Sequence, residues 1–236
     1  MTEMRGLPPG QVAIEDFPRF GWGKLAFRFP TNTAHLKIAV RGDVENALVI
    51  REEMEALPRI HQVSDLHCVT TWTKCSLRWS GFRFRDFYES IVKPRARPHP
   101  AANLVVLRSQ DGYDQSLPLE DMLSSDVLLA DRLDDAPLPI AHGAPIRLIA
   151  PAHYGYKNVK HLCAVEFWRD AREYRFVGPR FMDHPRARVA LEERGRLPAR
   201  ILRSVYPALI PPVRWIFRVA LKRHETRLSN VPQSRS

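Results

Sequence analysis

The 236-residue chain has only three cysteines, a low and odd number that excludes a disulfide-built scaffold and fits a reduced compartment. No apolar run reaches the roughly twenty residues that a spanning helix needs. The N-terminal stretch MTEMRGLPPGQVAIEDF has neither a secretory apolar core nor a twin-arginine pair, so the expected location is cytoplasmic. Internal repeats, haem-attachment motifs and iron–sulfur spacings are also missing. What remains is globular: 44% hydrophobic and 26% charged residues can bury a sizeable core.

Excess acidic charge is absent too, and the positive charge is unevenly spread. Residues 185–236 hold twelve basic side chains and three acidic ones, 12 − 3 = +9 of the net +10, which leaves +1 for residues 1–184. The chain therefore divides into a nearly neutral body, 1–184, and a basic extension, 185–236. A body of that charge does not predict a nucleic-acid partner.

Hydropathy alternation predicts strands in HLKIAVRGDV (35–44), HQVSDLHCVTTW (61–72), NLVVLRS (103–109), DVLLADRL (126–133), PIRLIAP (145–151) and HLCAVEFW (161–168). Helical spacing appears in LVIREEMEALP (48–58) and after a short strand in RWSGFRFRDFYESIV (78–92). DGYDQSLPLEDML (111–123) reads as a turn and short helix, and KPRARPHP (93–100) as a basic, proline-rich connector. The sum is a strand-rich α+β body.

Two stretches carry candidate chemistry. In LHCVTTW, Cys68 stands between His67 and two threonines, with Cys75 seven positions on. A thiolate can attack a substrate or bind a soft metal, but a buried structural thiol has the same local sequence. In an extended segment His67 faces away from Cys68, and the spacing of Cys68, Cys75 and Cys163 matches no zinc site. In AHGAPIRLIAPAHYGYKNVK (141–160), Arg147 and a lysine-bearing turn can form an anion cradle, or be basic residues flanking a strand. The residues alone leave both questions open.

Taken in order, HCVTTW, RWSGF (78–82), SQDGYDQSLPLEDM (109–122) and HGAPIRLIAPAHYGYKNVK resemble the molybdopterin-dependent oxidoreductases of the sulfite oxidase family. The likeness spans roughly residues 8–170 and is closest to small, haem-free bacterial members, including methionine-sulfoxide reductase catalytic subunits. It implies a sulfite oxidase fold with molybdenum and molybdopterin as cofactors, and Cys68 as the thiolate on the metal. It also implies cofactor contacts from His67, Ser109, His142 and Arg147. The turn Asn158, Val159 and Lys160 would hold the cofactor phosphate, and Pro18 and Arg19 of FPRFG would line the same site. Tyr113 and His153 fall near the metal mouth by motif position, whereas Cys75 and Cys163 match no ligand and read as buried small residues.

The implied function is oxygen-atom transfer on a small oxyanion or sulfoxide-type substrate, with electrons exchanged with an external carrier. The rival expectation is a non-catalytic anion- or membrane-binding module acting through the extension. There, DHPRARVALEERGR reads as a helix broken at Gly195 and Pro198, and VRWIFRVALKRH (213–224) as a helix begun at Pro212. Arg214, Arg218 and Lys222 make a cationic stripe beside Trp215 and Phe217. Such a helix can lie on the inner membrane surface, dock on a partner, or pack back on the body.

Overall fold

The computed structural model describes residues 6–19, 23–30, 33, 35–178, 182–196 and 199–229. In chain order the strands are β1 (Val12–Ala13), β2 (Ile38–Gly42), β3 (Leu48–Ile50), β4 (Arg59–His67), β5 (Trp72–Arg83), β6 (Leu104–Ser109), β7 (Asp114–Pro118), β8 (Leu128–Leu133), β9 (Ala136–Pro137), β10 (Arg147–Ile149) and β11 (Leu162–Trp168). One sheet runs β1-β5-β8-β10, with β4 also on β5 and β9 on β8; the other runs β3-β2-β11-β6-β7. Pairing is antiparallel except for β1 on β5 and β11 on β2.

The core lies where side chains from both sheets meet. Ile38, Val40, Leu107, Val165 and Phe167 of one sheet share a buried cluster with Phe82, Leu129 and Leu148 of the other. Strand alternation sends the neighbours of the latter group to the opposite face, where Leu128, Ala130 and Ile149 pack with Leu77 and Trp79. At the irregularity between Ser80 and Gly81 the extra residue, Asp131, lies on β8, so that Ala130 and Leu133 face the same cluster although three positions apart.

Helix is scarce in the body. A short helix, α1 (Phe84–Phe87), widens into a π-type segment through Ala96, and α2 (Leu119–Met122) follows β7. Five local expectations are corrected. HQVSDLHCVTTW is not one strand: β4 ends at His67, and residues 68–71 form a turn before β5. The stretch 48–58 is β3 followed by a 3-10 turn, Glu52–Ala56, because Leu48–Ile50 pairs with β2. Lys93–Ala96 belong to the helical segment, which ends at left-handed Arg97 (φ 52°). DGYDQSLP contains strand β7, and residues 184–196 form turns with no helix.

The last helix, α3 (Ala199–Ser229), starts before Pro212 and carries Pro207, Pro211 and Pro212 inside it. It packs back on the body: Leu202, Phe217 and Ala220 are buried, and Leu202 joins Val69, Tyr154, Ala187 and Val189 in a third cluster. Trp215 is 62% exposed on the outer side. No helix of the described residues is long and apolar enough to cross a membrane.

Gly81 lies against β8 without room for a side chain, since a Cβ there would stand 2.1 Å from the Leu129 carbonyl oxygen. Gly81→Ala should therefore force the strands apart and lose about 1–3 kcal/mol, as overpacking does. A urea midpoint equal to that of the parent chain would contradict this.

Candidate active site

Cys68 occupies the turn of the β4–β5 hairpin. Its N–H donates to the Trp72 carbonyl at 2.8 Å, the Thr71 N–H donates to the Cys68 carbonyl at 3.1 Å, and Thr71 takes the left-handed conformation (φ 79°). The sulfur lies 3.0 Å from the Thr70 hydroxyl. Two distant segments hold this turn. Gln11 Nε2 donates to the Cys68 carbonyl at 3.2 Å, and Arg194 Nη1 donates to the Val69 carbonyl at 2.8 Å. Burial pushes the Cys68 thiol up, against the pull of the Thr70 bond and the charges of Arg194 and Lys160.

The turn opens on a cavity of about 390 Å³ that Cys68 shares with Arg19, Arg28, Arg147 and Lys160. Among the described residues Asp111 is the one acidic residue lining it, so they give the wall 4 − 1 = +3 formal charges. These cations are answered mainly by carbonyl dipoles. Arg147 Nη1 donates to the His142 carbonyl at 2.9 Å, Lys160 Nζ to the Ala141 carbonyl at 3.1 Å, and Arg19 Nη1 to the Ala26 carbonyl at 3.1 Å. Burial lowers the Arg147 guanidinium to about 9. Burial, then the charges of Arg147 and Arg19, hold the Lys160 amine well below its ordinary range. An anion in the cavity would relieve that repulsion.

Most of the expected site residues converge here: Pro18, Arg19, Cys68, Ser109, Arg147, Asn158 and Lys160 all line the cavity. Asn158 is committed locally, its Oδ1 accepting from the Ala150 N–H at 2.6 Å while its amide reaches the His153 and Tyr154 carbonyls. Three others stand outside the lining. His67 Nδ1 is 2.8 Å from the Thr73 hydroxyl across the hairpin, as strand alternation requires. Val159 is buried in the main core. His142 stacks on Phe17, itself a lining residue, with ring centroids 4.1 Å apart and its Nδ1 buried without a partner.

Tyr113 lines the cavity, with its hydroxyl donating to the Tyr156 carbonyl at 2.7 Å. His153 does not; it faces the Arg186 carbonyl and Asp121. Cys163 donates to the Arg108 carbonyl, and both it and Cys75 are half-buried and free. Asp111, within the motif SQDGYDQ, also lines the cavity, and Thr70 is the threonine of HCVTTW that reaches the Cys68 sulfur. Nothing local in the sequence signals Arg194, Val213 or Phe217, because they meet the site only through tertiary packing.

Two buried histidines set an acid limit. Burial lowers His142 to about 3 and His161 to about 4, from 6.5. Held neutral in the fold, they take up protons in the unfolded chain below about pH 6.5, so the stability they contribute is complete above that pH. It is lost as pH falls through about 4 and 3. Urea midpoints across this range should fall with pH, and His161→Gln should flatten the slope; an unchanged slope would exclude His161 as a source.

The oxidoreductase molybdopterin-binding domain model matches residues 26–176. An uncharacterised oxidoreductase of Bacillus subtilis is 30% identical over 165 residues, covering 70% of this chain and 80% of that protein. The protein-methionine-sulfoxide reductase catalytic subunit of Campylobacter jejuni is 28% identical over 59% of this chain and 51% of its own length, so the chain spans about half of that relative. In fold, the sulfane dehydrogenase SoxCD of Paracoccus pantotrophus superposes with TM-score 0.51 at 21% identity, covering 59% of this chain and 39% of that one. With its buried cysteine, its cationic cavity and a match over most of its length, the chain belongs to the molybdopterin-binding oxidoreductases.

Proposed function

We propose that this molybdopterin-dependent oxidoreductase transfers an oxygen atom to or from a small oxyanion or sulfoxide-type substrate, with Cys68 as the one protein ligand to molybdenum. The observation that carries the proposal is the meeting of a buried thiol and four cations in one cavity. The donor set fits the group. A soft thiolate suits a metal already bound by sulfur, and arginine and lysine suit a phosphate. Gly143 contributes by its size: a Cβ there would come within 3.0 Å of Arg147 Cβ and 3.1 Å of Lys160 Cβ.

The bound cofactor supplies the two-electron change at the metal. The protein's own part is to hold and orient. Cys68 is fixed by Thr70 and by the clamps of Gln11 and Arg194; Arg147, Lys160 and Arg19 line the cavity and would neutralise the cofactor's phosphate. Tyr113, with its hydroxyl on the Tyr156 carbonyl and its pKa raised by burial, stays neutral in the wall. In balance, the oxidised substrate plus two electrons and two protons yields the reduced substrate and water, or the reverse. Electrons are exchanged with an external carrier. The outer side of α3, with Trp215, Arg218 and Lys222, is our candidate for its contact.

Protein from a molybdenum-replete host should contain one molybdenum and one pterin per chain by metal analysis and pterin fluorescence. Cys68→Ser should remove the cysteine sulfur contribution from the molybdenum X-ray absorption spectrum. It should also lower turnover with dye donors or acceptors by at least the ~10–100-fold seen when residues supporting a metal ligand are lost. Replete protein without pterin would sink the proposal. Lys160→Gln should weaken cofactor retention roughly tenfold or more, the worth of one charge-assisted hydrogen bond, about 1.5–3 kcal/mol. Full occupancy under limiting cofactor would remove Lys160 from the phosphate site.

A further inference from the structure

Helix α3 lies beyond the residues matched by the family model, yet it reaches the cavity. Val213 and Phe217 are four residues apart on one helix face, and both line the cavity with Cys68, Arg147 and Lys160. Phe217 is only 4% exposed, and Ala220 continues the same face into the body.

Several contacts pin this face in place. The Arg19 guanidinium sits 4.0 Å from the centre of the Phe29 ring and 5.6 Å from that of Phe217. Phe29 in turn stacks on His224 of α3, with ring centroids 4.0 Å apart. Arg214 pairs with Asp16, and Arg203 with Glu192. Arg19 is itself a lining residue, so the helix is tied to the cavity through one of its cations.

The volume decides what this wall does. About 390 Å³ is at the low end of the ~300–1,000 Å³ typical of sites for drug-sized ligands, and a pterin cofactor is itself of that size. A cofactor of that size would take up most of the volume that Val213 and Phe217 help to enclose, which leaves room only for a molecule of few heavy atoms. A methionine sulfoxide within a folded protein brings its own backbone and neighbours, which need an open groove.

We propose that α3 is a size filter, with Val213 and Phe217 forming a wall that admits a small free oxyanion or sulfoxide and excludes methionine sulfoxide carried by a folded protein. This rests on the cavity being the molybdenum site proposed above. It assigns a substrate class to that site from residues outside the matched family region.

Two measurements test it. In the first, full-length chain prepared without cofactor is treated with iodoacetamide or fluorescein maleimide, and each cysteine is followed by peptide mass spectrometry. Cys68 should take the small reagent and resist the bulky one. Phe217→Ala should raise bulky labelling of Cys68 on the order of tenfold, the discrimination that a small change in an apolar pocket achieves. Cys75 and Cys163 serve as internal standards, and their labelling should not change. Val213→Ala, a smaller change, should act in the same direction should Phe217→Ala fold poorly.

In the second, holoenzyme is assayed with free dimethyl sulfoxide, free methionine sulfoxide and an oxidised folded protein, or with small oxyanions if it proves an oxidase. The ratio of kcat/KM for bulky over small substrates should rise in Phe217→Ala. Bulky labelling of wild-type Cys68 equal to that by iodoacetamide, or equal turnover of free and protein-bound sulfoxide, would overturn the filter. A wild-type chain that excludes the bulky reagent but contains no molybdenum would instead overturn the function proposed above and the substrate class with it, leaving α3 only as a barrier in front of Cys68.

Discussion

The buried guanidinium of Arg194 joins parts of the molecule that the sequence keeps far apart. A charge withdrawn from water has to be answered by hydrogen bonds and partners, or the fold bears several kcal/mol of desolvation. Arg194 finds its answers at the Val69 carbonyl, at the Pro9 carbonyl at 3.2 Å, at Glu192, and over the Tyr154 ring at 5.3 Å. Glu192 also pairs with Arg203 of α3. The N-terminal segment, the Cys68 turn and the final helix are thereby linked through one side chain. The turn that presents the thiol depends on chain contributed from both ends.

The cavity follows an opposite logic. Lys157 and Lys160 are three residues apart in YGYKNVK and both lie low in pKa through burial, but their surroundings differ. Lys157 has Gln115 Oε1 at 2.6 Å, the Ser116 carbonyl at 3.0 Å and Asp183 at 3.0 Å, so it is a structural cation that ties residue 183 to the body. Lys160 has the Ala141 carbonyl and the repulsion of Arg147 and Arg19. A cluster of cations held against one another by carbonyl dipoles is stabilised when an anion arrives, which is the electrostatic condition for a phosphate-bearing cofactor.

Much of this was legible in the chain. Alternating apolar residues marked six of the strands, since one-sided burial writes a period of two into the sequence, and DVLLADRL is β8 almost as read. β7 was hidden because DQSLP buries polar residues: Gln115 and Ser116 serve Lys157, and Asp114 accepts from Arg108. The helix expected at 48–58 became a strand and a 3-10 turn because pairing with β2 outweighed local spacing. Pro212 looked like a helix start, yet α3 runs through it, with its inner face held by the body.

What the sequence by itself determined is local: the alternation of the strands, the aim of His67 away from Cys68, and the order of motifs that identifies the family. Its charge distribution also marked residues 185–236 as distinct. Only the tertiary structure decided that Lys157 is bound to Gln115 and Asp183, that His142 reaches the cavity through Phe17, and that Val213 and Phe217 form one of its walls. Each of these is a contact between residues tens to hundreds of positions apart, or depends on one. Periodicity and spacing report only the face on which a side chain stands; what meets that face is set by the packing of the whole chain.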